Sequence, residues 1–196
     1  MKHIIWLSGL FCASLHSQPL SCQLCHGSHL QGNEMIAAPA LNILSPDYVA
    51  AQLEAFKHGL RPYPPDDQAA LDMQVVASQL SEADTQAALA LVRQFRSSDT
   101  APLTNNKVPA AWSGCVACHG NQGQGNPAVL APAIRGQLSA YLLKRIKAFK
   151  YQAGDAVVLS DSQQAMQQVM QSLSEQDMQQ LSDYLAQSTP NVMEIK

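Results

Sequence analysis

Charge is scarce in this chain. Asp, Glu, Lys and Arg make up 14% of its 196 residues, and Phe, Trp and Tyr only 6%. Neither shortage implies disorder, because 46% of the residues are hydrophobic, a normal share for a globular protein. A surplus of positive charge is also missing. A net charge of -3 and a pI near 6.0 argue against a nucleic-acid binder held by phosphate contacts. The expected mature chain has no apolar run long enough to cross a bilayer. Five cysteines are too few for a disulfide-dense scaffold. Their placement therefore matters more than their number.

The N-terminus reads as a leader. Lys2 and His3 precede the apolar stretch Ile4 to Leu15, and the small residues Ala13, Ser14 and Ser17 follow. This is the charged start and apolar core of a secretory signal, expected over residues 1–17, with the mature protein in the periplasm. Cys12 lies inside the leader, and Phe11 is too bulky to precede a lipid-modified cysteine. Removing the leader leaves four cysteines in an oxidising compartment, where free thiols persist only if covalent chemistry consumes them.

The chain also repeats itself. A shift of 93 residues places Cys22, Cys25, His26 and Gly27 on Cys115, Cys118, His119 and Gly120 without a gap. The same shift places Gly32-Asn33 on Gly125-Asn126 and Ala38-Pro39-Ala40 on Ala131-Pro132-Ala133. Tyr48 falls on Tyr141, Ala55-Phe56-Lys57 on Ala148-Phe149-Lys150, and Met73-Gln74 on Met166-Gln167. Leu80-Ser81-Glu82 and Asp84 fall on Leu173-Ser174-Glu175 and Asp177. An ungapped series of this extent indicates duplication, and two long repeats mean tandem domains rather than a solenoid. The expected division is 18–98 for the first domain, 99–110 for a linker rich in Thr, Asn and Pro, and 111–196 for the second.

Each half reads as helical. Ser45 can cap a helix beginning at Pro46, with Tyr48, Leu53 and Phe56 inward and Gly59 as its stop. Its counterpart runs from about Leu138 to Tyr151. The last helix of each half opens with Ser81 and Asp84, or Ser174 and Asp177, suited to free backbone N–H groups and the positive helix end. Leu89, Val92 and Phe95 form an apolar stripe there, as do Met178, Leu181, Tyr184 and Leu185. No sustained strand alternation is present.

The chemistry lies in Cys22-Gln23-Leu24-Cys25-His26 and Cys115-Val116-Ala117-Cys118-His119. Two thiols at this spacing can form thioethers to the two vinyl groups of a haem, and the adjacent imidazole can bind the iron. A zinc site would bring its Cys pairs closer in sequence and needs no histidine after each. A thioredoxin-like dithiol needs a strand-then-helix setting. Gly120-Asn-Gln-Gly-Gln-Gly does not follow a strand, so a nucleotide loop is rejected. Two covalently bound c-type haems, one per half, are expected, with His26 and His119 on the irons.

The sixth ligand must come from elsewhere. Thioether sulfur suits electron-transfer haems and raises their potential. Of the methionines, only Met73 and Met166 hold matching places, each 51 residues after the first cysteine of its motif. They are the expected axial ligands, with Met35 and Met170 as fallbacks. His29 and His58 have no histidine counterpart in the second half, although His58 would make the first haem bis-histidine. Pro39 and Pro132 lie 13 residues after their motif histidines, where a backbone carbonyl could orient the imidazole.

Together these residues resemble the class I cytochromes c and, as a tandem pair, the dihaem cytochrome c4 family. The second half is the closer match, through Cys-Val-Ala-Cys-His-Gly, Ala-Pro-Ala-Ile-Arg-Gly-Gln and the Tyr141–Phe149 segment. The resemblance implies an all-α fold of two cytochrome c-like domains packed together, each wrapped around one covalent haem with His/Met ligation. Met73 and Met166 fall where that family's axial methionines fall. One departure is the lack of a clear amphipathic helix before either motif.

The expected role is that of a periplasmic dihaem electron carrier rather than an enzyme. Its expected partners are redox proteins: a membrane-bound quinol–cytochrome c reductase or a dehydrogenase as donor, and a terminal oxidase or reductase as acceptor. The alternatives are a peroxidase-like dihaem oxidoreductase and a cytochrome subunit of a larger dehydrogenase or oxidase complex. Charge adds one expectation about docking. Residues 18–98 hold eight acids against four bases, while residues 99–196 hold seven of each. Lys144, Arg145, Lys147 and Lys150 share one helix, so an acidic partner is expected to dock there, while the first domain is expected to meet a different, more basic surface.

Overall fold

The computed structural model describes residues 21–61, 63–97, 102–103, 107–151 and 160–187. The expected leader and much of the expected linker lie outside the described residues. The first half holds α1 (Gln23–His26), α2 (Pro46–Lys57), α3 (Gln68–Gln79) and α4 (Glu82–Phe95). The second repeats the order as α5 (Val116–His119), α6 (Ser139–Tyr151), α7 (Asp161–Gln171) and α8 (Glu175–Ala186). A 3-10 turn follows each motif helix, at Glu34–Ile36 and Pro127–Val129. Among the described residues the only extended pairings are the matched bridges Asn33–Ala38 and Asn126–Ala131.

Helix boundaries follow local chemistry. The Ser45 oxygen accepts from the Tyr48 N–H, and Pro46 occupies the first turn, where a missing N–H costs nothing. Gly59 then takes a left-handed φ of 64° just beyond the helix. At α4 and α8, Ser81 and Ser174 accept from Asp84 and Asp177 N–H, and each aspartate returns a bond to its serine's N–H. These hydrogen bonds hold the carboxyl groups of Asp84 and Asp177 below the usual carboxylate range.

The apolar stripes turn inward and form one cluster per half. Leu30, Ala40, Ile43, Leu44, Val49, Leu53, Leu89 and Val92 fill the first. The second is built on Trp112, Leu142, Ile146, Met170, Leu173, Met178, Leu181, Tyr184 and Leu185. In each half the helix after the bridge packs against the two that follow it. A 3-10 turn at Ala110–Gly114 precedes the second motif and buries Trp112 beside Tyr184, with ring centroids 6.0 Å apart. Residues before this motif thus cover the core without a long helix.

The halves meet through bonds in which Gln137, Arg61, Lys144 and Asp67 have no like residue at the matching place of the repeat, although two of their partners, Ala40 and Tyr141, do. The Gln137 amide accepts from Ala40 N–H at 2.8 Å and donates to Ala40 C=O at 3.0 Å. Arg61 donates to the Tyr141 hydroxyl at 2.6 Å, and Lys144 pairs with the buried Asp67 at 2.9 Å. Bonds spanning so much sequence, made by buried groups, hold the two halves together.

Candidate functional site

Each Cys-x-x-Cys-His motif forms one short helical turn. Cys22 and Cys115 are half-buried, Cys25 and Cys118 are exposed, and none is in a disulfide. Burial, chiefly, pushes the Cys22 thiol up and the Cys115 thiol up to about 11. Among the described residues no group of three or more His, Cys, Asp or Glu is arranged to hold a metal ion by itself.

The histidines end these turns and point inward. His26 and His119 are buried, and burial lowers both imidazole pKa values, so the rings are neutral near pH 7. His26 Nδ1 lies 2.9 Å from the Pro39 carbonyl oxygen, and His119 Nδ1 lies 2.9 Å from that of Pro132. With Nδ1–H donating to a carbonyl, the Nε2 lone pair is left for a metal.

The segment that holds each ring is itself held by a glycine. Gly32 and Gly125 have φ of 90° and 83°, and their N–H groups donate to His26 and His119 carbonyls. A Cβ on Gly125 would meet Ala133 N at 2.6 Å and the Pro132 carbonyl carbon at 2.8 Å. Gly125→Ala is therefore expected to cost about 1–3 kcal/mol, since it combines a left-handed backbone with a clash against main chain. Chemical denaturation of the haem-loaded protein, followed at the haem absorbance, checks this.

The methionines separate into distinct settings. Met73 on α3 and Met166 on α7 are half-buried at the margins of their cores, which Cys22 and Cys115 also border. A Cβ on Gly114, next to Cys115, would lie 3.9 Å from Val169 of α7, so that helix passes close to the motif. Met35 is 95% exposed, whereas Met170 and Met178 are enclosed in the second core. His58 is exposed and pairs with Glu54 at 3.3 Å, and His29 stands edge-on to Phe95.

Sequence reasoning missed the charged junction between the halves. Arg61 and Asp67 are buried there, beside the half-buried Arg145, Tyr48 and Tyr141. Burial, and secondarily the Arg61 charge, brings the Arg145 guanidinium down to about 10. Burial raises the Tyr48 hydroxyl against the pull of Arg61. Asn42 Oδ1 is buried without a protein partner, and its repeat counterpart is Arg135. The fit to a haem rests on the paired thiols and buried imidazoles of the two motifs, and Arg61 and Arg145 at the junction are donors of the kind that carboxylates such as propionates accept from. The available signal was mismatch: Arg61, Gln137 and Arg145 face Gly154, Leu44 and Gln52 in the repeat.

The expected basic docking face is not free. Lys144 is taken by Asp67, Lys147 pairs with Glu175 at 3.0 Å, and the half-buried Arg145 lies over the Phe149 ring. The Lys150 ammonium donates to the Gln171 carbonyl at 3.2 Å and to those of Met170 and Leu173. These bases serve the fold, because α6 runs between the other half and the end of α7, where carbonyls lack helical partners.

Tandem helical halves, each with an inward histidine after a Cys-x-x-Cys turn, define a c-type cytochrome architecture. Residues 108–189 match the family described as Cytochrome c, a class that carries covalent haem c. Over 84% of the chain the helical fold is that of cytochromes c4, and the arrangement in two halves is consistent with those dihaem proteins. It is similar to cytochrome c4 from Acidithiobacillus ferrooxidans, at 22% identity and a TM-score of 0.62, over 84% of this chain and 96% of that one. Reduced cytochrome c4 from Pseudomonas stutzeri is similar at 25% identity and a TM-score of 0.60, over 84% and 92% of the two chains. A thiosulfate dehydrogenase from Marichromatium purpuratum is similar at 27% identity and a TM-score of 0.59, over 85% of this chain but 36% of that one. A thiosulfate dehydrogenase electron acceptor from Stutzerimonas stutzeri is 28% identical over 145 residues, 67% of this chain. The match spans 63% of that relative's length. Among the described residues no helix is long and apolar enough to cross a membrane.

Proposed function

We propose that this protein is an exported dihaem electron carrier, with one haem c on Cys22 and Cys25 and the other on Cys115 and Cys118. The observation that carries the reading is the matched pair of histidines, each with Nδ1 on a proline carbonyl at 2.9 Å. When bound, each haem supplies a one-electron iron couple. The chain's own work is to fix the imidazoles of His26 and His119, to offer the sulfurs of Met73 and Met166 as second ligands, and to exclude water with the two apolar cores. Iron with two protein ligands has no open position for substrate, which is why we read a carrier rather than an enzyme.

A dehydrogenase is the donor we favour, in line with the thiosulfate dehydrogenase electron acceptor among the relatives. The likeness to about a third of a larger thiosulfate dehydrogenase favours a second reading, a cytochrome subunit bound permanently to its enzyme. Absorption spectra of the oxidised and reduced protein, repeated under carbon monoxide, test the carrier. Two closed haems give an unchanged reduced spectrum. Rapid carbon monoxide binding at either haem would overturn the carrier reading in favour of an oxidoreductase. Purification from the native source decides between free carrier and subunit.

A further inference from the structure

The turn after the first motif carries an apolar surface that the fold does not require. Met35 is 95% exposed and Ile36 46% exposed, on a 3-10 turn closed by Ala37 at a φ of 51°. They line a groove of about 540 Å³ together with Pro64 and three acids, Glu34, Asp66 and Asp72. The cation in its lining is Lys144, already paired with Asp67 at 2.9 Å. The groove therefore carries an uncompensated negative charge around an apolar centre.

The duplicated half serves as an internal control. The second half builds the same turn, closed by Leu130 at a φ of 52°, with Pro127 and Ala128 where the first has Glu34 and Met35. Ala165 stands where the first half has Asp72. Neutral, smaller residues stand at these three places, and since Val129 and Leu130 of the second turn are each 47% exposed, it is Met35 with its acids, not apolar exposure alone, that sets the first turn apart. An exposed methionine ringed by acids adds nothing to folding and costs apolar exposure. The groove also adjoins the first redox site. Asn33 and Ala38, which bracket the turn, pair at 2.9 and 3.0 Å, and the next residue is Pro39, whose carbonyl holds His26.

We infer that this groove is the docking surface for a basic redox partner, whose Lys or Arg side chains meet Glu34, Asp66 and Asp72 while an apolar patch covers Met35 and Ile36. Charge complementarity selects that occupant over an acidic one and speeds encounter. The inference rests on the electron-carrier reading and assigns entry or exit of electrons at the first half.

The test uses the haem-loaded full chain and two immobilised probes, a lysine-rimmed monohaem cytochrome c and an acid-rimmed flavodoxin. Binding is read by surface plasmon resonance, and electron exchange separately by stopped flow. The lysine-rimmed probe should bind more tightly than the flavodoxin, and less tightly as salt rises. Removing three acids (Glu34→Gln, Asp66→Asn, Asp72→Asn) should weaken it by about tenfold or more. Removing three others (Asp47→Asn, Glu54→Gln, Glu82→Gln) should leave it within about twofold, since both variants change net charge equally. Met35→Ala, the residue of the second half, should weaken binding several-fold without altering the salt dependence. Equal loss in both triple variants, or preference for the flavodoxin, would overturn the docking surface. A probe that binds through the groove but exchanges no electrons would sustain the surface and sink the carrier reading. Electron exchange indifferent to the groove variants would do the opposite.

Discussion

Alanine at both Cys115 and Cys118 is expected to leave a protein with a single covalent haem, on the first half. Each thioether needs its own thiol, and neither Cys22 nor Cys25 belongs to the cluster that borders Cys115. The effect on folding should be large as well as chemical. The repeat offset of 93 residues gives halves near the size at which an apolar core alone is marginal. Loss of the covalent tether should therefore let haem dissociate and the second half unfold at a lower temperature than the first. Denaturing mass spectrometry should show the mass of one haem, and reduced absorbance per protein should fall by half. The mirror change at Cys22 and Cys25 should remove the other haem. Two retained haems in either variant would end the assignment of one haem to each motif.

The sequence was most informative where chemistry is local. Ser45-Pro46 and the two Ser-x-x-Asp segments mark helix starts because their hydrogen bonds reach only three residues along the chain. The repeat then carried each reading from one half to the other. Much less could be read where bonds cross between halves. Gln137 and Ala40 are 97 positions apart, and Arg61 and Tyr141 are 80 apart. The duplication itself obscured these contacts, because each joins a residue that breaks the pattern, Gln137 or Arg61, to one that keeps it, Ala40 or Tyr141. Helix α3 was equally hard to see. Its apolar residues are spread around the axis, and only Ala77 is buried. The basic residues of α6 misled for a related reason. A run of like charge on one helix looks solvent-facing in sequence, yet Asp67, Glu175 and the carbonyls at the end of α7 occupy three of the four.

Histidine in place of Met166 should lower the potential of the second haem and remove half of the sulfur-to-iron charge-transfer band of the oxidised protein. Met73→His should do the same to the first haem, and the double variant should lose the whole band. Imidazole stabilises ferric iron more than thioether does, so the fall is a fraction of the roughly 0.8 V that axial ligation as a whole spans. The choice of these two methionines rests on position. Both are half-buried at the border of a core that also touches the first cysteine of the motif. Met35 lies out in solvent, and Met170 is 2% exposed within the second core. Met170→Leu supplies the control, since a volume-conserving swap in a core should cost less than about 1.5 kcal/mol and leave the band intact. A band that stays whole in Met166→His but falls by half in Met170→Leu would transfer the ligand role one helical turn along α7, from residue 166 to residue 170.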